Sequence, residues 1–264
     1  MRQFTEEYLR HTRRGMWENR AALDPLDLED AERVLDVGCG TGELSRVLAE
    51  ESPGEVVGLD ADPDLLAVAG ERVPVVAGDA TRLPFPDDAF DLVVCQALLI
   101  NLPDPAAAVR EFARVSRDRV AAVEPDNSAV AVESSVEGES RLEGRARRAY
   151  LDGVPTDVSL GGAGTRRVFD EVGIDDVETR RYDHERTVAP PYSEAALADA
   201  KRKATGEGLA DDRETMLSGD LSADEYDDLR TEWRAMGRDV IDQMQDESYR
   251  RTEVVPFFVT VGRV

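Results

Sequence analysis

From residue 33 onward, short apolar runs alternate with amphipathic stretches. Arg33-Val-Leu-Asp-Val37, Glu55-Val-Val-Gly-Leu59, Val73-Pro-Val-Val-Ala77, Asp91-Leu-Val-Val-Cys95 and Val120-Ala-Ala-Val123 are each too short for a helix and apolar on successive residues, which predicts strands buried on both faces. Between them, residues 43–50, 63–71 and 105–115 carry apolar side chains at helical spacing. Pro63 and the Asp104-Pro105 pair suit helix starts. Pro74 lacks a backbone donor, so the third strand is expected near a sheet edge. Strand–helix alternation of this kind implies a doubly wound α/β fold, a parallel sheet covered by helices on both sides.

The pattern loosens outside this stretch. Phe4, Tyr8, His11 and Met16 recur at helical spacing and predict an N-terminal helix, broken near Gly15. Residues 129–140 are acidic and Ser-rich, and 141–150 are helical in pattern. Leu160-Gly-Gly-Ala-Gly164 reads as a flexible loop, with a helix from Thr165, its expected N-cap, to Val172. Residues 177–188 and 253–264 read as strands forming an antiparallel pair, separated by a polar helical stretch at 193–249. The expected organisation is an N-terminal helical segment (1–30), a core (31–189 and 251–264), and a helical cap (190–250) inserted before the last strand, over the substrate side. The sheet is expected to hold seven strands, six parallel and the last inserted antiparallel.

The chain carries 56 acidic and 32 basic residues, a formal net charge of −24, and its only lysines are Lys201 and Lys203. The acids are spread along the whole sequence, a composition that resembles proteins of extreme halophiles, whose carboxylates hold a hydrated cation layer while salt screens their repulsion. An acidic surface also argues against a nucleic-acid partner. No apolar stretch reaches the length of a membrane span, and no apolar leader follows Met1, so the expected compartment is the cytoplasm. Two cysteines and two histidines without zinc spacing give no metal site.

The densest chemistry lies in Val34-Leu-Asp-Val-Gly-Cys-Gly-Thr-Gly42, where a strand meets a glycine turn and a helix follows. Glycines let a ligand approach the backbone, and this position beside the first strand is where doubly wound sheets bind nucleotides. An NAD-dependent oxidoreductase would space its glycines Gly-x-Gly-x-x-Gly; here the third glycine, Gly42, comes one residue early. Asp36 beside the turn would repel a pyrophosphate and attract the ammonium of an amino-acid ligand.

These residues resemble the first motif of the class I S-adenosylmethionine-dependent methyltransferases. The resemblance spans about residues 30–125. It implies Asp36 near the methionine ammonium, Gly38, Gly40 and Gly42 around the methionine and ribose, and Asp60 on the ribose hydroxyls with Ala61 along the adenine. It further implies Asp79 at the adenine amino group, Ala80 or Thr81 at a ring nitrogen, and Gln96 facing the sulfonium. Leu83-Pro-Phe-Pro-Asp-Asp-Ala-Phe-Asp-Leu-Val-Val94 and Asn101-Leu-Pro-Asp-Pro105 resemble the ubiquinone/menaquinone-biosynthesis branch. Asn101 stands where that branch often has histidine, and Ser116-Arg-Asp-Arg119 replaces its usual Pro-Gly-Gly turn. The implied function is methyl transfer from S-adenosylmethionine to a small-molecule acceptor. The alternatives are a catalytically silent S-adenosylmethionine-binding module and the oxidoreductase. No catalytic residue follows from the pattern; the candidates are Glu124, at the carboxyl end of the fifth strand, and His11 and Tyr8 on the first helix.

Overall fold

The computed structural model describes residues 6–13 and 15–264. Phe4 lies outside the described residues, as do the side chains of Tyr8 and His11.

The first described element is α1 (Glu6–Arg13). Gly15 follows at φ +75°, and a 3₁₀ segment over Arg20–Leu26 is capped by the Asn19 side chain. Then follow β1 (Arg33–Val37), α2 (Glu43–Glu51), β2 (Glu55–Asp60), α3 (Pro63–Ala69), β3 (Val75–Ala77), β4 (Phe90–Gln96), α4 (Pro105–Val115) and β5 (Ser116–Pro125). The start signals act as read: Asp62 and Asp104 accept hydrogen bonds from Asp64 N–H and Ala107 N–H, each with proline in the first turn. β6 (Ala131–Ser134), α5 (Glu139–Gly153), α6 (Gly161–Val172), β7 (Asp175–Val188), α7 (Glu194–Thr205), α8 (Glu207–Asp211), α9 (Arg213–Ser218), α10 (Ala223–Gln245) and β8 (Arg251–Arg263) complete the chain.

Among the described residues the sheet has eight strands, in the order β3-β2-β1-β4-β5-β8-β6, with β7 also paired to β8. The five strands from β3 to β5 are mutually parallel, and β8 runs antiparallel to β5. The eighth strand corrects the expected seven. β6 forms inside the Ser-rich 129–140 stretch because Ala131–Ser134 find ladder partners on Arg251–Val254, a pairing invisible to local pattern. The missing turn before β5 is also explained. β5 begins at Ser116, and the ladder with β4 shifts register between Phe90 and Leu92, a bulge closed by Ser116 Oγ donating to Arg119 O at 2.8 Å.

Two further expectations are corrected. Residues 161–164 are the first turn of α6, not a loop, and Thr165 lies inside that helix, its hydroxyl donating to Gly161 O at 2.7 Å. The glycines serve close packing. A Cβ on Gly162 would come within 2.7 Å of Thr179 Cγ2 and 2.8 Å of Phe258 Cδ1, so a larger residue would push α6 off the sheet.

The chain folds into two compact units. One comprises residues 1–126, 159–184 and 256–264; the other comprises 127–158 and 185–255. The second unit therefore draws residues 127–158 from the expected core as well as the expected cap. The first unit is centred on Leu35, Val37, Phe90, Val93 and Phe112, all buried under the helices. The second has its own core, built on Leu142, Tyr226, Leu229, Met236 and Val240, with Trp233 packed against it. Beside that core runs a buried ionic chain. Lys203 binds Glu139 and Glu143, Arg251 reaches Glu143 at 2.6 Å and Glu253 at 2.5 Å, and Arg186 closes on Glu253.

Candidate cofactor site

The turn from Gly38 to Gly42 joins the carboxyl end of β1 to the start of α2. Gly38, Gly40 and Gly42 sit at φ +70°, +55° and +81°, in the left-handed region that side-chain-bearing residues avoid. Space is equally restrictive. A Cβ on Gly38 would lie 2.9 Å from Leu98 Cδ1, and one on Gly40 would lie 3.0 Å from Leu9 Cδ1. The turn is thus a bare-backbone cradle flanked by two leucines.

Asp36 lies beneath it, 1% exposed. Ser45 Oγ donates to its Oδ2 at 2.5 Å, while Oδ1 is buried without a hydrogen-bond partner. Burial pushes the carboxyl up to about 6; the Ser45 hydrogen bond and the Arg13 guanidinium pull the other way. At neutral pH the group is an anion with one unsatisfied oxygen, costly unless a cation or donor completes it. An ammonium does both. At the end of β2, Asp60 accepts from Gly40 N–H at 2.8 Å and from Asp62 N–H at 2.9 Å, tying the cradle to the start of α3. Both oxygens keep lone pairs for further donors, and Ala61 beside it is exposed.

The remaining expected contacts follow strand order. Asp79 accepts from Thr81 N–H and Thr81 Oγ1, both at 2.8 Å, and these bonds hold its carboxyl below the usual range. Asp79 and Thr81 are exposed, and Ala80 is buried. Gln96, at the end of β4, is buried; its amide donates to Met16 Sδ at 2.8 Å and its carbonyl oxygen has no partner. Glu124 is fully buried at the end of β5 and accepts from backbone N–H groups of the turn after β4. Cys39 is a buried thiol pushed up by burial, which leaves no nucleophile there. His184 is buried edge-on to Phe257. Among the described residues no cluster of potential metal ligands occurs.

The sequence did not point to the neighbours supplied by the N-terminal segment. Leu9 faces Gly40, the Arg13 guanidinium lies within 3.5 Å of the position a Gly40 Cβ would take, and buried Met16 reaches Gln96. Tyr182 secures that segment, its hydroxyl donating to Met16 O at 2.6 Å. The signal available was the i, i+4 spacing of Leu9 and Arg13, which places the two on one side of the helix; Met16 lies beyond its end.

Residues 35–123 match the methyltransferase-domain family. The match begins in β1 and ends in β5, so it covers the glycine cradle, Asp60, Asp79 and Gln96. Over 99 residues, 37% of its length, the chain is 46% identical to a demethylmenaquinone methyltransferase of Mycolicibacterium gilvum, and it spans 43% of that relative, under half. Among solved structures it resembles a candidate methyltransferase of Bacillus halodurans (TM-score 0.54, 18% identity, 93% of this chain and 98% of that one). It also resembles a candidate methyltransferase of Haloferax volcanii solved in complex with the Trm112 methyltransferase activator (TM-score 0.50, 18% identity, 96% and 93%). These two likenesses show a methyltransferase fold along nearly the whole chain. S-adenosylmethionine is the cofactor of the matched domain, and the residues present fit it: a cradle only glycine can line, an unsatisfied buried carboxylate oxygen and a second carboxylate at the next strand end.

Proposed function

We propose that this protein is an S-adenosylmethionine-dependent methyltransferase acting on a small-molecule acceptor. The observation that carries the reading is the partnerless Oδ1 of Asp36 under the glycine turn, inside the stretch that matches the methyltransferase domain. When bound, the cofactor supplies a methyl group made electrophilic by its sulfonium. Asp36 pairs with the ammonium of the methionine end, and Arg13 is the nearby cation for its carboxylate. Asp60 accepts from the ribose hydroxyls, Asp79 from the adenine amino group, with Ala80 or Thr81 at a ring nitrogen. The Gln96 carbonyl oxygen faces the reacting end. The protein's work is to hold donor and acceptor in line and exclude water, so a dedicated general base is not required.

Similarity to the demethylmenaquinone methyltransferase covers 37% of this chain and 43% of that relative, so its acceptor is not carried over to this protein. The dispersed acidic, lysine-poor composition supports a high-salt setting and disfavours nucleic-acid substrates. Among the described residues, no helix is long and apolar enough to cross a membrane.

The test is calorimetric titration of the purified protein in molar KCl with S-adenosylmethionine, S-adenosylhomocysteine and NAD, followed by incubation with radiolabelled donor and a metabolite extract. Binding of the first two with label transferred to a small molecule is expected. Binding of NAD alone would overturn the cofactor, and binding without transfer to any extract would favour the silent module.

A further inference from the structure

Between β4 and α4 the chain makes a tight turn that the glycine cradle leans on. Ala97 has φ +49°, a left-handed value that a residue with a Cβ adopts only when its surroundings impose it. Ala97 N–H donates to Val123 O at 2.9 Å, and Asn101 Nδ2 donates back to Ala97 O at 2.8 Å. Between these clamps, three consecutive amides point at one side chain. Glu124 Oε1 accepts from Leu98 N–H at 3.0 Å and Leu99 N–H at 2.9 Å; Oε2 accepts from Ile100 N–H at 3.4 Å; Cys95 Sγ approaches Oε1 at 3.8 Å. Glu124 is 0% exposed, so these amides meet it away from bulk solvent.

The turn reaches the cofactor cradle through Leu98. Leu98, whose amide Glu124 holds, places its side chain over Gly38, 2.9 Å from where a Cβ would stand. Burial pushes the Glu124 carboxyl up to about 7, while the three amide hydrogen bonds pull the other way by favouring its anion. That ionised form presents only acceptors, whereas a glutamine must turn either an N–H₂ or its single oxygen toward amides that all donate.

We infer that Glu124 is a positioning residue, which folds the 97–101 turn over the glycine cradle through Leu98 and so sets cofactor affinity without touching the cofactor. The inference rests on the cofactor reading given above. It assigns Glu124 no proton transfer.

The test uses the full chain in molar KCl, with Glu124→Gln, Glu124→Ala and Leu98→Ala variants. Amide hydrogen exchange reads the turn, and S-adenosylhomocysteine titration reads the cradle. Glu124→Ala should lose protection at residues 98–100 and weaken S-adenosylhomocysteine about tenfold or more, the scale of leaving buried amides unpaired. Glu124→Gln should fall between it and the wild type in both readouts. Leu98→Ala should weaken binding while the three amides stay protected, which covers the case in which Glu124→Ala fails to fold. With turnover measured, the loss should appear in the cofactor KM more than in kcat. Lost protection with wild-type affinity would overturn the inference. So would a Glu124→Gln variant with native affinity and a kcat as low as that of Glu124→Ala, which would make Glu124 an acid–base group. A wild-type protein that ignores S-adenosylhomocysteine sinks the proposed function and the affinity role with it, while amide protection at 98–100 still reports whether Glu124 holds the turn.

Discussion

Replacing Asp36 with asparagine should move stability and cofactor binding in opposite directions. The carboxyl is raised from 3.8 to about 6 by burial, and that difference corresponds to about 3 kcal/mol spent on holding the anion at neutral pH. Because the folded-state pKa lies above the unfolded one, this carboxyl favours folding fully only below about 3.8, and the benefit fades as pH rises through about 6. An asparagine of the same shape removes the charge, and Ser45 can still donate to its carbonyl oxygen, so the weaker hydrogen bond returns only about 1 kcal/mol of the gain. The ligand-free variant should therefore be as stable as the wild type at pH 7.5, or more stable by up to about 2 kcal/mol. The ammonium, in contrast, loses its partner, and affinity should fall by about 10-fold to 100-fold, the range of a buried charge-assisted hydrogen bond. In the wild type, affinity should drop about tenfold per pH unit below about 6, as the carboxyl protonates and pairing fails. Thermal unfolding with and without S-adenosylhomocysteine, at pH 5 and 7.5 in molar KCl, reads all of this. A ligand-free Asp36→Asn protein that melts well below wild type while binding the cofactor normally would show that Asp36 is structural and refute the reasoning.

Two further outcomes follow from the packing of the cradle and the ion pairs of the second unit. Gly38→Ala should abolish measurable S-adenosylhomocysteine binding and lower stability by about 1–3 kcal/mol, since φ +70° and the Leu98 contact both oppose a Cβ; unchanged titration would dismiss the cradle. Lys203→Met should cost about 3–5 kcal/mol by leaving Glu139 and Glu143 short of a cation in the second unit, and a chemical-unfolding midpoint within error of wild type would show that the pair is solvated.

The parallel half of the sheet was legible from the chain alone because its strands carry their evidence locally: apolar on both faces, separated by capped amphipathic helices of ordinary length. The cofactor turn was legible for the same reason, since Asp36 and three glycines act through backbone geometry that nearest neighbours define. What escaped was settled by partners distant in sequence. β6 became a strand because β8 offered it an edge, and the glycines of α6 became a helix because the sheet stood too close for side chains. Glu124 was visible as a lone acid ending an apolar strand, yet what it does depends on three amides 24–26 residues earlier. Likewise, Arg13 and Met16 reach the glycine turn and Gln96 only once the N-terminal segment folds back. The sequence by itself determined the elements and the chemical character of the cofactor turn, because propensity, capping and glycine freedom are local free energies. Only the tertiary structure decided which buried polar groups are satisfied and which are left open for a ligand, because that balance depends on donors and acceptors brought together across the whole fold.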